Sequence, residues 1–103
     1  MSLEPKIRWM PLAEQDLAAA YEYFGQDNPR AASRLVTRVF QAVEMLSRFP
    51  SAGHPGRVDT TRELSIARSP YIVVYRPTHN EIQILAVIHG ARRWPTSFDE
   101  SRD

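Results

Sequence analysis

The sequence predicts an α+β fold: a helical hairpin packed on a small antiparallel sheet, in the order β-α-α-β-β-β. Three observations carry that reading. Residues 61–95 read TRELSIARSPYIVVYRPTHNEIQILAVIHGARRWP, three short segments rich in β-branched and aromatic residues and separated by Pro, Asn and Ser. Before them come two stretches with apolar residues three and four apart, interrupted by Gly25 and Asn28-Pro29. Residues 6–10 alternate polar and apolar side chains at the period of a strand.

The elements follow in order. Lys6 and Arg8 flank the apolar positions of the first strand and suit a sheet edge, where charge discourages unwanted pairing. Pro11 opens the first helix at a position where its missing N–H is no loss. Glu14 and Asp16 fall in the first turns and favour the helix N-terminus, and Leu17, Ala20, Tyr21 and Phe24 share one face. Gly25 and then Asn28-Pro29 stop it. The second helix spans about residues 29–48, with Asn28 as N-cap and Phe49-Pro50 as terminator. Leu35, Val39, Ala42, Val43 and Leu46 form its apolar stripe, and Val36, Phe40 and Met45 widen that stripe beyond a half-buried face. The link between the helices is so short that they form an antiparallel hairpin.

Residues 51–60 (SAGHPGRVDT) read as a loop. The meander strands are expected at about residues 62–67, 71–76 and 81–89, and such short turns join only antiparallel neighbours. Strict alternation along the third strand places Ile82, Ile84, Ala86 and Ile88 on one face and Gln83, Leu85, Val87 and His89 on the other. The tail 96–103 is polar and expected to fray, with Phe98 as its candidate anchor.

A chain of 103 residues is expected to form one domain spanning 1–103, with its core in about 6–95. Its net charge of +1 argues against a nucleic-acid binder driven by gross charge. With no cysteine there is no disulfide framework and no thiolate metal site, and His54, His79 and His89 lack metal-ligand spacing. No cofactor or metal is expected. No apolar run approaches membrane-spanning length and no signal peptide is present, so the expectation is a soluble cytoplasmic protein with no membrane partner.

Charge is unevenly placed. The first helical region carries Glu14, Asp16, Glu22 and Asp27, whereas Arg30, Arg34 and Arg38 form a row on the second helix. That row is either a solvated stripe facing the acids of the first helix or a docking rail for an acidic partner. Arg62, Arg68, Arg76, His89, Arg92 and Arg93 fall at strand ends and edges, a cationic rim suited to an anionic or acidic macromolecule. His54 and His79 fall in turns. His89 either caps the third strand or serves as a base or phosphate contact. No nucleophile elbow, phosphate loop or dinucleotide fingerprint is present.

The residues GHPGRVDTTRELSIARSPYIVVYRP and EIQILAVIHGARRWP, with the helical hairpin before them, resemble the RelE/ParE superfamily of type II toxins. The resemblance covers about residues 6–95 and is most specific at Arg62-Glu63-Leu64, at Tyr71 with Tyr75-Arg76, and at Ile88-His89-Gly90-Ala91-Arg92. It implies a small toxin held inactive, as a hetero-oligomer, by a cognate antitoxin whose C-terminal segment wraps it. RelE-like members cleave messenger RNA on the ribosome without metal; ParE-like members poison DNA gyrase and have no known catalytic residues. The ribonuclease pattern places lysines where this chain has Glu63 and Ser65, an arginine at Ile72, an arginine at Arg92 and a tyrosine at Phe98. Arg92 alone of these five is retained, which favours the ParE-like reading.

On that reading Arg62, Arg68, Arg76, Arg92 and Arg93 are the target-binding candidates, with DNA gyrase as target. The alternative is a ribosome-dependent messenger-RNA interferase with His89, Arg92, Arg76, Arg68 and Arg57 as catalytic candidates; a further one is a non-toxic remnant that still binds antitoxin. Antitoxin-binding candidates are Val36, Phe40 and Met45, with Arg30, Arg34 and Arg38.

Overall fold

The structure is a computed structural model describing residues 4–90. Its elements are β1 (Lys6–Trp9), α1 (Pro11–Gly25), α2 (Pro29–Met45), β2 (His54–Pro55), β3 (Arg62–Ser65), β4 (Tyr71–Pro77) and β5 (Glu81–His89). The expected succession of elements is present, with one addition: the segment read as a loop holds the two-residue strand β2. His54 therefore lies on an edge strand, paired with Glu63, and not in a turn.

The five strands run in the order β1-β5-β4-β3-β2. The meander is antiparallel throughout, as its short turns require. β1 adds to its edge in parallel with β5, Lys6 opposite Glu81 and Trp9 opposite Ile84, so the sheet is mixed. A parallel neighbour is permitted here because β1 is separated from β5 by the whole helical hairpin.

The helices form for the reasons legible in the chain. Asn28 Oδ1 accepts a hydrogen bond from the Ala31 N–H at 3.1 Å, and Pro29 follows as the first helical residue. Leu35, Val39, Val43 and Leu46 are buried and pack with Ala13, Leu17 and Ala20 of α1 onto Val73, Tyr75, Ile82 and Ile84. α2 ends at Met45, earlier than expected, and the chain continues in tight turns to Phe49.

One correction changes the faces of β5. Val74 pairs with Ala86 but Tyr75 pairs with Ile84, so Leu85 is an extra residue, a β-bulge. The bulge inverts the alternation beyond it. Ile82, Ile84 and Val87 all join the core beneath the helices, while Leu85, Ala86 and Ile88 pack on the other face with Val74 and Met10.

Asp16 secures the bulged stretch. β1 pairs with β5 only as far as Ile84, and the Val87 N–H beyond it donates to Asp16 Oδ2 at 3.0 Å. Burial pushes the Asp16 carboxyl above its ordinary value of 3.8, partly offset by the Val87 hydrogen bond. A raised folded-state pKa means the folded protein holds this proton more tightly than the unfolded chain. The contribution of Asp16 to stability is therefore highest below the ordinary value and is lost as pH rises through the raised one. Asp16→Asn keeps an acceptor without the buried charge. It is expected to be at least as stable as the parent at pH 7 and to remove the loss of stability that Asp16 imposes as pH rises, so that the acid limb of a stability–pH profile climbs more steeply than the parent's. Asp16→Ala strands the Val87 amide and should be less stable than Asp16→Asn by about 1–3 kcal/mol. Equal thermal midpoints for the two variants would show that the bond is idle.

Candidate functional site

Three regions hold the side chains that the sequence singles out. The first is an apolar groove along the helical hairpin. Phe40 is 45% exposed and lies against Trp9 with ring centroids 5.4 Å apart. On one side of Phe40 is a hollow of about 390 Å³ lined by Trp9, Leu17, Tyr21, Val36 and others. On the other is one of about 660 Å³, whose lining includes Ile7, Trp9, Val43, Met45 and Phe49. Trp9 and Phe40 line both. Tyr21, Met45 and Phe49 are also exposed, whereas Val36 is half-buried against the core. The rim carries Glu4, Glu14 and Glu44, with Arg48 paired to Glu4 at 3.7 Å. Arg30, Arg34 and Arg38 do not line this groove.

The second region is the far end of the sheet around Glu63. This carboxylate is buried, accepts the Arg57 backbone N–H at 2.8 Å and faces Arg57 Nε at 3.5 Å. Arg62 does not project outward as a rim cation. Its Nε donates to the Gly53 carbonyl at 2.9 Å and its Nη2 to the Ser51 carbonyl at 3.2 Å, so it clips the loop to β3. Arg76 Nε donates to Thr60 Oγ1 at 2.9 Å, and its Nη1 approaches Gln83 Oε1 at 3.5 Å.

The third region is the opposite end of β4. Tyr71 pairs with His89, their rings 5.5 Å apart and edge to face. Arg68 occupies the adjacent turn. Arg76 and His89 thus sit at opposite ends of the β4–β5 ladder, so two members of the catalytic set do not converge. Arg92, Arg93 and Phe98 lie outside the described residues.

In the arginine row Arg30 and Arg34 are exposed and Arg38 is half-buried. Among the described residues the ion pairs are Arg8–Glu81, Arg48–Glu4 and Arg57–Glu63, and none involves Arg30, Arg34 or Arg38. Arg38 instead reaches the Ala67 carbonyl at 3.4 Å. Among the described residues no three His, Cys, Asp or Glu side chains gather as metal ligands, and no helix is long and apolar enough to cross a membrane.

A helical hairpin on a mixed sheet does not by itself assign an activity; the open apolar groove is a surface that another molecule can cover. Comparison with known proteins makes the class specific. Residues 7–94 match the family described as the ParE toxin of the type II toxin-antitoxin system parDE. The protein Y4kP of Sinorhizobium fredii, a chain provisionally named a toxin, is 41% identical over 90 residues, 87% of this chain and 93% of that one. Toxin RelE2 of Caulobacter vibrioides is 32% identical over 87 residues, 84% of this chain and 97% of that one. Among solved structures, a chain of the chromosomal ParDE system from P. aeruginosa superposes with a TM-score of 0.77 at 28% identity, covering 85% of this chain and 98% of that one. A chain of the RelBE2 complex from Mycobacterium tuberculosis gives 0.55 at 27% identity, covering 84% and 98%. The chain belongs to the ParE toxin family of the RelE/ParE superfamily and is the toxin of a type II toxin–antitoxin system.

Proposed function

We propose that this toxin inhibits DNA gyrase by binding it, and that a cognate antitoxin neutralises the toxin by laying an amphipathic segment along the Trp9–Phe40 groove. One observation carries the first half. Where the resemblance to metal-free ribonucleases calls for phosphate-binding cations, the chain has Glu63, Ser65 and Ile72, and Glu63 is buried against Arg57. A buried carboxylate at such a position repels the phosphate that a lysine would hold. Membership of the ParE family supports the same target.

The groove supports the second half. Its exposed aromatic and Met side chains are those that anchor helices in grooves, and its rim, three glutamates against the single Arg48 among the described residues, suits a segment with an apolar face and cationic flanks. Both structural neighbours come from toxin–antitoxin systems, in agreement with an antitoxin partner.

The ribosome is the second reading, favoured by relatives that carry RelE names. Gyrase supercoiling of relaxed plasmid separates the two. Inhibition that rises with toxin and is reversed by stoichiometric antitoxin is expected. Full supercoiling at a large toxin excess would exclude gyrase as the target.

A further inference from the structure

Three arginines line one hollow on a flank of α2. Arg34 and Arg38 are one turn apart, about 6 Å along the axis. Arg68 approaches from the β3–β4 turn, and with Ser33 and Thr37 the three line a shallow hollow of about 580 Å³. Among the described residues no carboxylate lines it and none of the three arginines belongs to an ion pair. Gathering like charges without a counter-charge is unfavourable unless an anion completes the group.

The turn is built to place Arg68 there. Arg68 adopts φ 58, a left-handed conformation that is costly for an arginine and natural for glycine. Ser69 pins the turn: its hydroxyl donates to the Ile66 carbonyl at 3.1 Å and accepts the Tyr71 N–H at 3.1 Å. The Arg38 bond to Ala67 ties this turn to α2, so the two walls of the hollow are joined. Strain kept in a non-glycine turn beside clustered cations points to use of the side chain rather than to folding.

We propose that this hollow holds the phosphate backbone of a nucleic acid. Guanidinium forks match phosphate oxygens, and the Ser33 and Thr37 hydroxyls add neutral donors of the kind that contact nucleic-acid backbones. A shallow opening suits a strand laid across it. Arg38 and Phe40, two residues apart, point about 200° from one another around α2. A segment seated on Phe40 therefore leaves the hollow open, which argues against the groove's occupant as its ligand. Because the net charge is only +1, affinity must come from this local cluster and not from the protein's overall field. The inference does not depend on the choice of target, since gyrase and ribosome both present nucleic acid.

Fluorescence anisotropy of the full chain with a labelled DNA duplex and with a single-stranded RNA of equal length tests it. Arg34→Gln combined with Arg38→Gln should weaken binding at least tenfold at low salt. It should also reduce the slope of log affinity against log salt by about 2 on duplex DNA. The control pair Arg30→Gln and Arg48→Gln removes the same charge outside the hollow and should change affinity less than twofold. Arg68→Gly should weaken binding while raising the thermal midpoint, a combination that a damaged fold cannot produce. The stronger of the DNA and RNA arms identifies the natural source of the phosphate. Equal losses in both arginine pairs, no binding by the parent chain, or binding only to polyglutamate or to inorganic phosphate would each overturn the proposal.

Discussion

Phe40→Glu is expected to weaken the toxin–antitoxin complex by about 2–4 kcal/mol, roughly 30- to 1000-fold in Kd, while leaving the toxin folded. The effect is large because Phe40, with Trp9, lines both halves of the groove. A carboxylate there is set among aromatic and aliphatic side chains, Glu14 and Glu44 already stand on the rim, and the groove's Arg48 is already paired with Glu4. The fold should tolerate the change, because Phe40 is 45% exposed and makes its ring contact with the half-buried Trp9. Titration calorimetry with purified antitoxin reads the affinity, and a thermal scan reads the fold. A midpoint within about 4–8 °C of the parent corresponds to no more than about 1 kcal/mol for a chain of this size. Collapse of the isolated toxin would place Phe40 in the core and remove the groove from the account.

Gly53→Ala carries the second large effect, on stability. A Cβ at Gly53 would stand 2.6 Å from the Glu63 carbonyl oxygen and 2.9 Å from the Tyr75 ring. Neither neighbour can yield. Glu63 is held in the β2–β3 and β3–β4 ladders, and Tyr75 is fully buried. The Tyr75 hydroxyl also binds this loop twice, donating to the Pro50 carbonyl at 2.7 Å and accepting the Gly53 N–H at 2.9 Å. The substitution should destabilise by about 3 kcal/mol, roughly 12–24 °C in thermal midpoint. Tyr75→Phe keeps the ring and removes only the two bonds, and should lie below it at about 1–3 kcal/mol. An unchanged midpoint for Gly53→Ala would mean that the loop is not docked on β3.

These two residues show how far the chain can be read without coordinates. Gly53 and Tyr75 are 22 positions apart, and their contact leaves no local pattern. The helices and the meander were legible because proline, asparagine and periodic apolar residues act within a few positions of one another. The bulge at Leu85 was not, because the run Ile84-Leu85-Ala86-Val87-Ile88 is apolar at every position and shows no break in alternation. The strand β2 escaped for a similar reason: two residues, one of them proline, carry no strand period. At the candidate sites, Phe40 and Met45 stood out as apolar residues beyond the width of the stripe, and both are exposed. The arginines were legible as charges but not as places. Arg62 turned out to be a loop clip, while Arg34 and Arg38 join Arg68 across thirty positions of sequence.

The central claim is that this toxin acts by gripping gyrase and not by breaking bonds in RNA. One preparation of toxin, divided between gyrase with plasmid DNA and a translating extract, addresses it most directly. The account predicts cleaved plasmid trapped with gyrase in the first reaction and intact message in the second. Message cut on the ribosome beside untouched plasmid would contradict it.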